Sequence, residues 1–437
     1  MAMVSKSFGT RYIRVSRKNL AWDQCDSGHM TCLGLLLFVL YCGTASPPAL
    51  GFTPGQRLEV THPGTGHEVH LSGAAIAATR DGGVVLAWTA AQKEALHVYV
   101  ARPSVSGGQA VRVNPEVLTA ESQHQSPGLA VGPGGEIYVS WSALKPRPEG
   151  TLFASDLYLS RSLDGGQSFE PPLRINEDRP ISHSFEGIAV AADGTVVVAW
   201  LDSREGWDQS GTYLARVGER GSRVEQVVKL DRDTCVCCRV HVATAPQETV
   251  AVAWRKVFPG QIRDMVLGLS RDGGRTFAPA TLVHADGWHI TACPHRGGSV
   301  GLDGQGRFYV TWYTEGAQEQ PSLRFTTSDD GRHFASPTRL DTSTTSIPDH
   351  VRMAVDATGR AVVVWEDATA VRRRVLLRYT LDGGRTFSPI QVLSQTIKAY
   401  TPDITVLPTG GFAAVWHEEQ FPHTITVVQP IRVDNTP

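Results

Sequence analysis

Four cysteines carry the most distinctive chemistry in this chain. Cys235, Cys237 and Cys238 fall in one Cys-Val-Cys-Cys run, and Cys293 precedes Pro294 and His295. Thiolates at Cys235 and at Cys237 or Cys238, joined by Cys293 and by His295 or His289, would form a soft donor set suited to copper or zinc. In an oxidising compartment the same sulfurs would instead pair as one or two disulfides that hold their loops together. Adjacent Cys237 and Cys238 are awkward partners for each other, so at least one sulfur must point elsewhere. The spacing is not that of a zinc ribbon. Both readings stay open on the residues alone.

The elements that must position these groups are short strands. Gly and Pro are plentiful, Val-rich alternation dominates and long helical periodicity is absent, which reads as all-β. Seven strands end in tryptophan, at Trp88, Trp141, Trp200, Trp254, Trp312, Trp365 and Trp416. Each follows another apolar strand across a turn and precedes two more, so the chain reads as repeats of roughly 55 residues with four strands each, the pattern of a β-propeller blade. One blade cannot bury both of its faces, so the ring must close. The expectation is a propeller of four-stranded antiparallel blades, seven in number with six as the alternative. The last unit lacks a final strand, which Arg57–Val60 would supply.

A second repeat lies within the first. Ser270-Arg271-Asp272-Gly273-Gly274-Arg275-Thr276-Phe277 has close copies at Ser162–Phe169, Thr327–Phe334 and Thr380–Phe387, and a worn one at Ser104–Val111. The Asp can accept from backbone N–H groups just after it, the glycines supply positive φ, and the Phe folds back as an apolar plug. These copies are Asp boxes, and the chain resembles the sialidase superfamily of Asp-box (BNR-repeat) β-propellers. Boxes are scaffold, so this resemblance speaks to fold more than to function.

The topology sorts residues by face. Asp boxes fall between third and fourth strands, while the segment leading into each first strand and the loop after each Trp open on the opposite face, around the channel. That face carries His124, His183, His350, Arg255 and Arg263 as candidate ligand-binding groups, beside the cysteines and His295. Sialidases use a Tyr nucleophile activated by Glu, three Arg that clamp a carboxylate, and an Asp acid/base. The resemblance implies Tyr400 for the nucleophile, Arg372 for a clamp, and Glu186 with Arg204 for the Glu-plus-Arg pair. Glu186 and Arg204 lie in the third unit rather than the fifth, where the family pattern would put them. His70-Leu71-Ser72 stands where an Arg-Ile-Pro is expected, and the loop after Trp88 lacks the Asp. At best half the catalytic set is present.

Composition and the N-terminus bound the rest. A formal charge of −2 over 437 residues argues against a nucleic-acid partner. Basic residues from Lys6 to Lys18 precede the apolar core Cys32–Tyr41, too short to span a bilayer, so residues 1–48 read as an export signal with a basic extension. A lipid anchor at Cys42 is the alternative to plain cleavage. Residues 55–437 then form one domain, expected to be a periplasmic or secreted monomer. Two functions follow: a propeller that binds a small molecule, a glycan or a metal over its channel, or a divergent exo-α-sialidase acting on a sugar acid.

Overall fold

The computed structural model describes residues 51–54, 58–60 and 73–434, apart from 93–94, 104–108, 122–125, 147–148, 150–152, 205, 207–209 and 421–422. The export segment, Cys42, His70, His124 and most of the worn box lie outside the described residues. Those described belong to the unit Pro48–Pro437. No helix among them is long and apolar enough to cross a membrane.

The Val- and Ala-rich alternation builds antiparallel sheets in which strands pair in chain order. The sixth unit shows the pattern: Ile347–Val355, Ala361–Ala368, Arg373–Thr380 and Gln391–Val392. The third unit departs from it. Its fourth strand, Arg223–Thr234, runs to twelve residues, and Thr234 pairs with Lys256, joining units three and four into one eight-stranded sheet. In the last unit, His423–Asp434 is flanked by the N-terminal segments. Gly51–Pro54 pairs with Asp434–Ile431, and Leu58–Val60 pairs with Val428–Thr426.

First strands pack against one another in series from unit one to unit seven, and Ala399–Val406 also packs against Ala75–Ala78 of unit one. A cross-unit hydrogen bond reinforces that last contact, with Ile76 N donating to Asp403 Oδ2 at 3.1 Å. The second strands do not stop at tryptophan as the sequence suggests. Thr249–Phe258 carries Trp254 near its middle, and Arg255 and Lys256 stay in the ladder opposite Met265 and Asp264. Ladder hydrogen bonds hold the backbone whether or not the side chains are apolar. All seven tryptophans are 0–2 % exposed and fill the space between neighbouring sheets. Trp416, for example, packs in one cluster with Val362, Val364 and Leu377 of the preceding unit. Burial of this size stabilises by about 2–3 kcal/mol per side chain.

The four Asp/Gly turns share one hydrogen-bond scheme. Asp272 Oδ1 accepts from Arg275 N and Thr276 N, Oδ2 accepts from Thr276 Oγ1, and Ser270 Oγ accepts from Gly274 N. Gly273 and Gly274 hold φ of 71° and 85°, a backbone that side-chain-bearing residues rarely adopt. Phe277 packs against the core cluster of Trp254 and Val266. The copy near Phe334 differs from its sequence alignment. Its Ser and Asp positions are Ser328 and Asp330, not Thr327 and Asp329, because the turn is one residue shorter and Gly331 N reaches Ser328 Oγ directly. Asp329 is exposed and pairs with Arg307 instead.

Candidate functional site

Antiparallel pairing puts the four Asp/Gly turns at the same end of their sheets, between third and fourth strands. The lead-ins to the first strands and the hairpins between second and third strands therefore lie at the other end. There a cavity of about 1840 Å³ opens, lined by residues that include Lys145, Arg204, Arg239, His241, Arg296, His350, Arg352, Arg373, Tyr400 and Asp403. Three β-bulges shape its wall. The first strands of units three, six and seven each shift register, between Ser184 and Gly187, Asp349 and Arg352, and Tyr400 and Asp403. Each bulge holds a non-glycine residue at positive φ: Phe185 at 59°, His350 at 46° and Thr401 at 51°. Such backbone costs about 1–3 kcal/mol and collects where a side chain must be re-aimed.

Two guanidinium groups line the cavity, and the Asp403 carboxylate interacts with both. Arg352 Nε lies 3.8 Å from Asp403 Oδ1, and Arg239 Nε donates to Glu186 O at 2.7 Å. His241 shares the site, and its pKa falls to about 3, first through burial and then through Arg352 and Arg239. Burial also pulls Arg352 below the usual arginine range against the pull of Asp403. Asp403 is raised by burial despite the cation beside it.

A second group sits where units six and seven meet. Glu366, fully buried, lies 3.2 Å from His350 Nδ1 and 2.9 Å from Arg373 Nε, and accepts from Thr401 N at 3.2 Å. Burial opposes the charge on His350, but the Glu366 hydrogen bond and Asp349 outweigh it and raise its pKa. Asp349 is also within 3.3 Å of Arg296, whose guanidinium stacks 4.2 Å over Tyr313. The Tyr400 phenol is raised, chiefly by burial, and feels both Glu366 and Arg373.

The residues singled out from sequence are divided among several places. Tyr400, His350 and Arg204 line the cavity. Arg204 is committed to Asp202 through Nε and Nη2 at 2.9 and 2.7 Å, and stacks 4.1 Å over Tyr213. Glu186 is buried and accepts from Ser142 Oγ at 3.4 Å. Arg372 is exposed outside the cavity wall, whereas its neighbour Arg373 lines it. Among the described residues no hydrogen bond or ion pair joins Glu186, Arg204 or Arg372 to Tyr400. His183 is fully buried, with Nδ1 2.6 Å from Ser155 O, and burial lowers its pKa. Sequence reasoning missed Glu366, Arg373, Arg239 and Arg352 as one set. The three arginines read as ordinary strand-end charges until the fold brings them to one cavity wall, with Glu366 buried against Arg373.

The cysteine run follows directly from the long fourth strand of unit three. The Thr234–Lys256 pairing ends that strand against unit four, and Cys235 N donates to Arg255 O at 2.9 Å. The chain then turns, with Cys238 N reaching Cys235 O at 3.4 Å, which sets the first and fourth side chains of the turn together. The three sulfurs lie within 4.8 Å of one another, with Cys235 2.8 Å from Cys238 and 3.9 Å from Cys237. All three are buried, and all four cysteines are free thiols. Hydrogen bonds from Cys237 and Cys238 hold Cys235 below the usual thiol range, so the first proton leaves there. Cys293 is exposed and stands outside the trio, lining the cavity with Cys237 and His295. Arg263 links the two regions, its Nη1 donating to Cys235 Sγ at 3.4 Å and to Ala292 O at 2.8 Å. Arg255 and Arg263 are buried behind the trio rather than at the cavity wall.

No protein-family model matches this chain, and no curated protein sequence matches it. Solved structures do. A polysaccharide lyase of the ulvan lyase family PL25, bound to -[GlcA(1-4)Rha3S]-, is 10 % identical with a TM-score of 0.55 and covers 87 % of this chain and 94 % of its own. A protein of unknown function from Dyadobacter fermentans is 13 % identical with a TM-score of 0.50, over 88 % of this chain and 100 % of its own. A Hadza microbial sialidase is 13 % identical with a TM-score of 0.49, over 87 % and 95 %. At these identities the likeness is one of fold, the all-β, propeller type of architecture.

Proposed function

We propose that this chain is an exported, sialidase-like Asp-box propeller of seven blades that binds an anionic sugar, a glycan carrying a carboxylate, at the mouth of its channel. The serial packing of first strands and their return from unit seven to unit one support a closed ring, with the N-terminal strands completing the last blade. The observation that carries the binding function is the pair Arg239 and Arg352, both on the cavity wall with Asp403 as the carboxylate beside them. Two like charges lowering one buried histidine leave a positive field that a ligand carboxylate would neutralise through charge-assisted hydrogen bonds. Solved relatives in fold include a lyase bound to a glucuronate-containing sugar, which agrees with this class of ligand.

The test is calorimetric titration of the purified protein with uronate oligosaccharides, sialyllactose and a neutral oligosaccharide of equal length. Binding confined to the acidic sugars and lost in Arg352→Met supports the reading. Equal affinity for the neutral sugar refutes it.

A second reading, glycoside hydrolysis, has one observation in its favour. Tyr400 shares the cavity with Arg373 and feels the buried Glu366, a grouping a tyrosine nucleophile would need. The channel-mouth set still lacks a full arginine clamp around Tyr400, so little cleavage of a fluorogenic sialoside is expected. Turnover that disappears in Tyr400→Phe would promote hydrolysis above binding.

A further inference from the structure

From the packing around the cysteine run, we propose a buried three-thiolate site for one monovalent copper ion, formed by Cys235, Cys237 and Cys238. The sugar-binding reading is not needed for it. Metal–thiolate bonds of about 2.3 Å place ligand sulfurs about 4 Å apart around a three-coordinate ion. Cys235 and Cys237 already stand at 3.9 Å, and Cys238 must swing out by about 1 Å. Among the described residues no fourth His, Cys, Asp or Glu joins the three. Phe185, Val236 and Val257 pack against the trio. Zinc in a structural site asks for four ligands, whereas thiolates without nitrogen or oxygen donors suit soft copper(I).

Charge points the same way and separates this site from a disulfide. Arg255 is fully buried and donates only to the carbonyls of Arg296, Arg263 and Tyr313. Arg263 donates to Ala292 O, Gln261 Oε1 and Cys235 Sγ, and its Nε has no partner. Neither forms an ion pair with a carboxylate among the described residues. Buried cations without a counter-charge are strongly unfavourable. A Cys235–Cys238 disulfide is neutral and leaves Arg263 uncompensated, while Arg255 has only the buried Asp264 carboxylate in its field. Three thiolates with one monovalent ion carry a charge of −2, which the two guanidiniums offset. Cys237 reaches the cavity wall and gives the ion an entry path. Each ligating thiol passes its proton to water as its sulfur–metal bond forms.

The experiment uses the full chain, reduced with a phosphine under argon and titrated with copper(I) against a copper(I)-selective chelator. One equivalent should bind and produce a near-ultraviolet thiolate-to-copper band. On the unmutated protein, mass spectrometry after iodoacetamide should show Cys235, Cys237 and Cys238 protected by copper while Cys293 stays reactive. Cys237→Ser should weaken retention by at least about a hundredfold, more than the loss of an outer-shell partner. Cys293→Ser should leave it within about threefold. Should Cys237→Ser fail to fold, the protection pattern of the unmutated chain still decides. Unchanged alkylation with copper present, protection of Cys293 along with the three, or zinc(II) displacing copper(I) at equal concentration would each overturn the proposal.

Discussion

The two ends of the sheets satisfy their polar groups in opposite ways. At the Asp/Gly turns, each carboxylate is saturated by the turn that carries it: Asp164, Asp272 and Asp382 each accept from two backbone N–H groups and two hydroxyls within four residues. At the other end, charges meet across units, and buried atoms such as Arg296 Nε and Thr401 Oγ1 lack a hydrogen-bond partner among the described residues. Positive φ occurs at both ends. The Asp/Gly turns use glycine, but Glu219, Arg220, Gln247 and Glu248 at the same end adopt it too, and the cavity wall bends Phe185, His350 and Thr401 into that region at its three bulges. A face that satisfies itself locally is scaffold. A face carrying strain and unmatched charge is where the proposed ligand binding would be tested.

Removing the N-terminal strands should have the largest effect. Deleting residues 51–60 removes both segments that pair with His423–Asp434 and exposes that strand's edge. Thermal unfolding should broaden and its midpoint drop by several degrees, reflecting a loss of several kcal/mol. An unchanged transition would mean the N-terminal pairing is dispensable and the ring is closed elsewhere. Next comes the cavity face. Arg352→Met should weaken binding of an acidic sugar by about 10- to 100-fold, the range for a lost charge-assisted hydrogen bond, with little change in melting temperature. Equal losses of stability and affinity would blur the division between the faces.

Asp272→Ala inverts that pattern. It should cost about 1–2 kcal/mol of stability, since several turn hydrogen bonds lose their acceptor, and leave sugar affinity unchanged. The pH dependence separates the faces once more. The pKa of His350 is raised, so its protonated form, which adds positive charge to the cavity, dominates below the ordinary histidine range and is lost as pH rises through the shifted value. Acidic-sugar affinity should fall over that rise by a few-fold, and His350→Gln should flatten the profile. The smallest effect concerns the turns in acid. Asp272 is held down to about 2, so its contribution is present above the ordinary aspartate range and fades only as pH falls toward 2. Amide exchange of Arg275 and Thr276 should stay slow at pH 4; early loss of protection there would show that the carboxylate does not organise the turn.

The architecture was legible because it is local and repeated. A tryptophan every 51 to 59 residues, flanked by alternating Val and Ala, dictates a half-buried strand wherever it recurs, and a five-residue Asp-to-Phe spacing dictates a turn. The one misjudged turn, at Ser328 and Asp330, failed where a deleted residue changed the hydrogen-bond count without changing the composition. The strand ends were misplaced for a related reason. Polar residues after each tryptophan look like loop, yet the ladder continues because its bonds are made by backbone.

The site was legible only in part. The sequence alone put Cys235, Cys237, Cys238 and Cys293 at neighbouring mouths, because two adjacent repeats open there, and it named Tyr400 and His350 from their places ahead of first strands. It could not choose Arg373 over Arg372. Alternation along Arg373–Thr380 is equally consistent with either neighbour facing inward until the pairing with Glu366 and Asp367 sets the register. Nor could it join Arg239 to Arg352 and Asp403, since they come from units four, six and seven and meet only when first strands pack side by side. The convergence of three sulfurs beside two buried arginines belongs to tertiary structure for the same reason. It depends on a twelve-residue outer strand crossing to the next sheet, and no spacing within Cys-Val-Cys-Cys encodes where Arg255 and Arg263 will lie.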